Sequence, residues 1–197
     1  SLVPLYQPQA GKAGEAVTLG TTASDRPMLW FYVPYEIGDK ISATLWQQTE
    51  ESQPDAAGNA QYNQRQVMTL PPTKPGLVGI QLPDSESPLA VDTIYHWLLT
   101  VQCDPDDASA TNFVNLSLLR VTPKTPISPA IASAPIPAQL DTYSKQGLWN
   151  ESITVLNTAR CEEKADPALM KAWTKLLQDI GLNDLASQST VKCSIVR

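Results

Sequence analysis

Apolar residues follow two rhythms along this chain, an alternating one up to Val121 and a helical one after Pro137. Met28-Leu-Trp-Phe-Tyr-Val-Pro-Tyr35 is apolar at both odd and even positions, the pattern of a strand covered on both faces. Ile41, Ala43 and Leu45 alternate with Ser42 and Thr44, which marks a half-buried strand. Shorter runs at Arg65 to Leu70 and Leu77 to Leu82 flank the turn Pro71-Pro-Thr-Lys-Pro75-Gly76. Val91 to Cys103 alternates most cleanly. Val91, Thr93, Tyr95, Trp97, Leu99, Val101 and Cys103 share one face, and Asp92, His96, Thr100 and Gln102 the other. Asn112 to Val121 adds another strand, and Leu2–Leu5 and Ala16–Leu19 supply two more near the start. Strands at this spacing with no helix between them predict an antiparallel β-sandwich of the immunoglobulin-like kind.

Thr122 to Pro137 contains Pro123, Pro126, Pro129, Pro135 and Pro137, so it reads as a stiff, extended connector. The period then becomes helical. Ala138 to Gln146 predicts a short helix stopped by Gly147. Asn150 is placed to cap a second, with Ile153 and Leu156 on one face. Asp166-Pro167 starts a third, whose stripe Leu169, Trp173, Leu176, Leu177 and Ile180 ends at Gly181. A last short turn is expected around Asn183 to Ala186. The resulting division is a β-sandwich over 1–121, a connector over 122–137, and a C-terminal subdomain of about three helices over 138–197. Helices this short bury too little surface alone, so they are expected to pack on the sandwich or on a partner. Tyr143, Gly147, Trp149, Ile153 and Leu156 echo one tetratricopeptide unit, but a lone unit is only a helix–turn–helix packing pattern.

Charge narrows the choice of partners. A net charge of −6 with scattered basic residues gives no positive face for nucleic acid or for anionic lipid. No run reaches the ~18 to 20 apolar residues of a membrane helix. The N-terminus has no basic region followed by an apolar run, and a start at Ser1 is read as a chain whose signal peptide has been removed. Of three cysteines, Cys103, Cys161 and Cys193, none has metal-binding spacing. Cys161 and Cys193 bracket the helical tail and form the candidate disulfide, which would require an oxidising compartment. Three unpaired thiols are the plain alternative.

Candidate chemistry is sparse, and no residue is assigned a catalytic, cofactor-binding or established metal role. His96 is the lone histidine, and a hydrolase would need it as the base. Cys103 stands over about 20 Å along the same strand on its opposite face, which leaves only a distant serine as nucleophile. The acidic loop with Asp104, Asp106 and Asp107 is the one calcium candidate, though its residue types equally suit a turn. The aromatics Trp30, Phe31, Tyr32, Tyr35, Trp46, Tyr95 and Trp97 fit either a core or a ligand groove. Asn115-Leu-Ser117 and Asn150-Glu-Ser152 match the glycosylation sequon, as chance allows. No dinucleotide, P-loop or nucleophile-elbow motif occurs.

Pro27-Met-Leu-Trp-Phe-Tyr-Val-Pro-Tyr35, Pro75-Gly-Leu-Val-Gly-Ile-Gln-Leu-Pro83 and Tyr95-His-Trp97 leading to Cys103-Asp-Pro105 together resemble a cyanobacterial family, the domain of unknown function DUF928. Arg120-Val121, Tyr143 with Gly147-Leu-Trp149-Asn-Glu-Ser-Ile153, and Trp173 with Leu176, Leu177 and Gly181-Leu182 extend the resemblance in order over most of the chain. It implies a cyanobacterial, exported protein, and a start within the family's N-terminal region. It implies no activity and no cofactor, and the shared residues are scaffold types.

These readings converge on a non-enzymatic structural or interaction protein of the cell envelope or exterior, with a protein partner or a second copy of itself. Edge strands of a sandwich accept strands from neighbours. The N-terminal segment, with Leu2, Val3, Leu5, Val17 and Leu19, is the candidate assembly strand for a filament built by strand complementation. The alternatives are a binding module for carbohydrate or another small ligand, which needs aromatic rings on one solvent-facing surface, and a hydrolase using His96 or clustered carboxylates.

Overall fold

In the computed structural model, residues 3–4, 19–38, 40–50, 62–107, 109–162, 167–179 and 193–196 are described. Nine strands, β1 (Val3–Pro4), β2 (Leu19–Thr22), β3 (Met28–Val33), β4 (Ser42–Glu50), β5 (Tyr62–Thr69), β6 (Gly76–Gln81), β7 (Ile94–Gln102), β8 (Thr111–Arg120) and β9 (Cys193–Val196), form two sheets among these residues. The first sheet has the order β1-β3-β6-β9 and the second β2-β8-β7-β4-β5. Their inner faces share one core. Leu29, Phe31, Val33, Val78 and Ile80 come from the first sheet, and Leu45, Trp97, Leu99, Val101, Leu116 and Leu118 from the second. Among the described residues the fold is therefore mainly β, with two sheets and three helices.

The pairing is mixed, which corrects the all-antiparallel expectation. β2 runs parallel to β8 and β9 parallel to β6, while the remaining pairs are antiparallel. Both parallel strands arrive from distant parts of the chain, so no tight hairpin sets their direction. β7 begins at Ile94 rather than Val91 because Asp92 takes a left-handed conformation, φ 58°, and its N–H bonds Arg120 O.

The helices are α1 (Ile136–Gln146), α2 (Trp149–Cys161) and α3 (Pro167–Asp179), preceded by a 3-10 turn at Pro129–Ser133 within the proline-rich stretch. Gly147 ends α1 at φ 72°, the left-handed position that glycine fills without a Cβ penalty. Asn150 is not a cap. Leu148 occupies that position without a side-chain bond, and Asn150 is 2% exposed in the first turn of α2. Ile180, Gly181 and the turn expected at 183–186 lie outside the described residues, as do the side chains of Leu176 and Leu177.

A second core joins the helices to the outer face of the first sheet. Trp30 and Leu77 of the sheet meet Ile153, Leu156 and Ala159 of α2 and Leu169 and Trp173 of α3. This explains the unbroken apolar run in β3: Leu29, Phe31 and Val33 face the other sheet, and Met28, Trp30 and Tyr32 face the helices. Gly79 lies directly opposite Trp30. A Cβ there would come within 2.9 Å of both the Trp30 ring and Met28 Sδ, so only glycine leaves room for the indole.

Candidate functional site

β1 docks antiparallel on β3, where Val3 pairs with Tyr32 and Pro4 with Phe31. Leu19 of β2 pairs with Ser117. Leu2, Leu5 and Val17, the other members of the candidate assembly strand, lie outside the described residues. β2 is tied to the start of α2. Thr21 Oγ1 donates to Gly147 O at 2.5 Å. Glu151 Oε1 accepts from Thr22 Oγ1 at 2.7 Å, Ala23 N at 2.8 Å and Ser24 N at 3.2 Å. One carboxylate on the first turn of α2 thus organises the whole β2–β3 turn, through charge-assisted bonds stronger than neutral ones.

The same end of α2 borders a mainly apolar pocket of about 220 Å³, between the turn and α1, lined in part by Arg26, Met28, Tyr143, Asn150, Glu151 and Val155. Arg26 anchors one wall by donating to Pro83 O at 2.8 Å and Asp84 O at 3.3 Å. Burial first, and the Glu151 carboxylate second, hold the Tyr143 phenol above its ordinary pKa, so it is a neutral hydroxyl. Among the described residues, Asn150 Oδ1 and Glu151 Oε2 are buried without a hydrogen-bond partner. Buried acceptors left in that state are uncommon and costly.

The other candidates resolve differently. His96 Nδ1 lies 2.6 Å from Ser117 Oγ, a pair set by the β7–β8 register that places these residues opposite each other. This is the distant serine a hydrolase would need. Ser117 is only 8% exposed, however, which leaves its hydroxyl little access to a substrate, and the bond satisfies a buried polar group.

Asp104 and Asp107 use their carboxylates inside their own loop. Asp104 Oδ1 accepts from Asp106 N at 2.9 Å, and Asp107 Oδ1 accepts from Ser109 N and Oγ at 2.9 and 2.6 Å. The two bonds from Ser109, its hydroxyl first and its backbone N–H second, hold the Asp107 carboxyl below its usual pKa. The loop is a turn of side-chain-capped bends, and no group of three or more metal-binding side chains gathers among the described residues. The seven aromatics do not form an exposed platform. Trp30, Phe31 and Trp97 are buried, and Tyr32, Tyr35, Trp46 and Tyr95 are half-buried. Asn150 is too buried to carry a glycan in the folded chain. No helix among the described residues is long and apolar enough to cross a membrane.

Cys103 is a free, half-buried thiol. The backbone of Cys193 pairs with Leu77, and Leu77 belongs to the same core as Cys161. The candidate bridge thus joins segments that the fold brings to one region.

Among known families, the model described as Domain of Unknown Function (DUF928) matches residues 1–190. The chain belongs to this family. No curated protein matches the DUF928 chain. The geometry of its own residues therefore carries the functional reading.

Proposed function

We propose that this DUF928 protein is a non-enzymatic structural subunit of the cell envelope or exterior, assembling with copies of itself by exchange of its N-terminal strand on an immunoglobulin-like scaffold. The observation that carries this is the place of β1 at the edge of the first sheet. Among the described residues it pairs with two positions of the six-residue β3, and one of its two residues is Pro4, which has no N–H to give the ladder. A strand at a sheet edge, near the start of the chain, can be supplied by a neighbouring copy instead. Head-to-tail repetition of that exchange builds a filament, because the donated and accepting surfaces differ.

An exported setting fits a disulfide between Cys161 and Cys193, which would lock β9 to α2 across the second core. Such bridges persist where the compartment is oxidising. A cyanobacterial source is the one implied by the resemblance noted above.

The test compares the native chain with one lacking residues 1–10, which removes β1 but keeps the Glu151-anchored β2. Light scattering and negative-stain microscopy are expected to show concentration-dependent oligomers or filaments for the native chain and monomers for the shortened one. Peptide mapping of the same native sample without reductant is expected to recover Cys161 and Cys193 in one linked pair. Monomers at every concentration in both chains would overturn the assembly reading. Recovery of both thiols free would remove the bridge.

A further inference from the structure

We infer that the outer face of the second sheet is a docking surface for a neutral polysaccharide. The helices cover the outer face of the first sheet. The inner face of the second sheet lines the sandwich core, so alternation turns every second residue of β4, β5, β7 and β8 away from it. Phe113 and Ile94 hold such outward positions and are 65% and 48% exposed. Among the described residues Phe113 is the one exposed aromatic ring.

Charge selects the occupant. The outward positions within 42–48, 64–69, 94–102 and 111–119 hold no Lys, Arg, Asp or Glu, although the chain has 14 basic and 20 acidic residues. Glu50, at the end of β4, is the next charged position in that strand's outward row. Nucleic acid, anionic lipid and acidic glycans all need cations on the surface they meet, and a basic partner needs carboxylates. This face supplies neither. His96 is the one titratable side chain at these positions, and its Nδ1 lies 2.6 Å from Ser117 Oγ. The face does supply the amides of Gln48, Gln64, Gln66 and Asn115, which both donate and accept hydrogen bonds. Sugar hydroxyls do the same, and the C–H face of a sugar ring fits against the open Phe113 ring.

Size and order point the same way. Strands stand ~4.8 Å apart and outward residues recur every ~6.8 Å, so four strands make a flat patch of roughly 400 Å². That is about half the ~800 Å² each partner buries in a stable protein–protein interface. A few consecutive sugar rings, laid across the strands, need no more. Bonds within the face hold its side chains in place. Trp46 Nε1–H donates to Thr100 Oγ1 at 3.1 Å, which donates to Thr44 O at 3.3 Å. Gln66 Nε2 donates to Thr69 Oγ1 at 3.1 Å. Side chains already ordered lose less freedom on binding.

This surface stands apart from the assembly reading. β1 belongs to the first sheet, and glycan binding needs neither residues 1–10 nor a second copy, so the two fail separately.

The test is calorimetric titration of the full-length chain with cellohexaose, maltohexaose and mannohexaose, and with hexamers of guluronate and glucosamine as charged controls. At least one neutral hexamer is expected to give saturable heat, and neither control. Phe113→Ala removes an exposed ring and is expected to weaken binding about tenfold. Asn115→Ala removes an exposed amide and is expected to weaken it about threefold. Val91→Ala, exposed but ahead of β7, is expected to leave it unchanged. No saturable heat with any neutral hexamer would overturn the proposal. So would tighter binding of either control, or binding that Phe113→Ala and Asn115→Ala both leave unaltered. Sedimentation of the same samples checks the other occupant: self-association abolished by Phe113→Ala, without glycan binding, would give the face to a second copy.

Discussion

Trp30→Ala is expected to destabilise the protein by about 3–5 kcal/mol, read as a lower urea midpoint at unchanged slope. Trp30 is fully buried at the centre of the core joining the first sheet to the helices. Its Nε1–H donates to Thr154 Oγ1 at 3.2 Å, so the change opens a cavity and also removes a direct link between β3 and α2. The cavity is hard to collapse, because β3 and β6 are held by a continuous antiparallel ladder from Met28–Gln81 to Val33–Gly76. Gly79 supplies an internal control. Gly79→Ala alone is expected to cost about 1–3 kcal/mol, since its new methyl group meets the indole at 2.9 Å. In the Trp30→Ala background the same change should cost less, because the clashing ring is gone and the Met28 thioether, the other close contact, can move into the space it leaves. Additive effects of the two changes would show that the pair does not constrain each other.

That pair also shows what was legible in the sequence. The apolar run from Met28 to Tyr35 signals a strand covered on both sides, and the two cores are its two covers. The alternation from Tyr95 to Cys103 marks the inward face of β7 because a half-buried strand imposes a period of two. Local signals are good at saying which residues of an element are inside. They are poor at saying against what. Nothing local to Leu19–Thr22 or Cys193–Val196 states that each pairs in parallel with a distant strand. Gly79 is intermediate. A glycine inside a strand hints at close backbone or ring approach, but the approaching residue, Trp30, is fixed only by register.

The candidate site was hidden for the same reason. Asn150 has the residue type and position of a helix cap, and local propensity favours that role. The fold instead buries it in the first turn of α2, because the helix leans on the β2–β3 turn through Glu151. Glu151 in a first turn is unremarkable to sequence reading, since a carboxylate there suits the helix dipole. Its role as the acceptor that organises residues 22–24 depends on contacts across more than a hundred residues of chain. The pairing of His96 with Ser117 is likewise a product of strand register. The acidic loop is ambiguous by composition: its residue types suit a cation or a turn, and one oxygen of Asp104 and one of Asp107 accept from backbone N–H groups within the loop.

Trp173→Ala is expected to have a comparable local cost, about 3–5 kcal/mol, but to act on one element instead of the whole fold. α3 packs on α2 and reaches the second core through Leu169 and Trp173. Trp173 donates from Nε1 to Asn157 Oδ1 at 2.9 Å, and the Arg160 guanidinium lies 3.9 Å from its ring centroid. Burial lowers the Arg160 pKa from its ordinary value, although a guanidinium remains charged, so the indole face is part of its solvation. Alanine therefore leaves three problems: a cavity, a buried Asn157 whose Nδ2 already lacks a partner among the described residues, and a half-buried cation without its aromatic face. Since α3 is a peripheral layer, the cheapest response is for it to undock. Hydrogen exchange should show the amides of α3 losing protection first, while those of β3, β6 and β7 keep most of theirs. Trp173→Phe keeps an aromatic face but loses the donated bond and part of the buried ring volume, so its cost should be nearer 1–3 kcal/mol. If Trp173→Ala instead lowers protection equally in both sheets and in α3, the helices and the sandwich unfold as one unit, and the second core is as integral to the fold as the first.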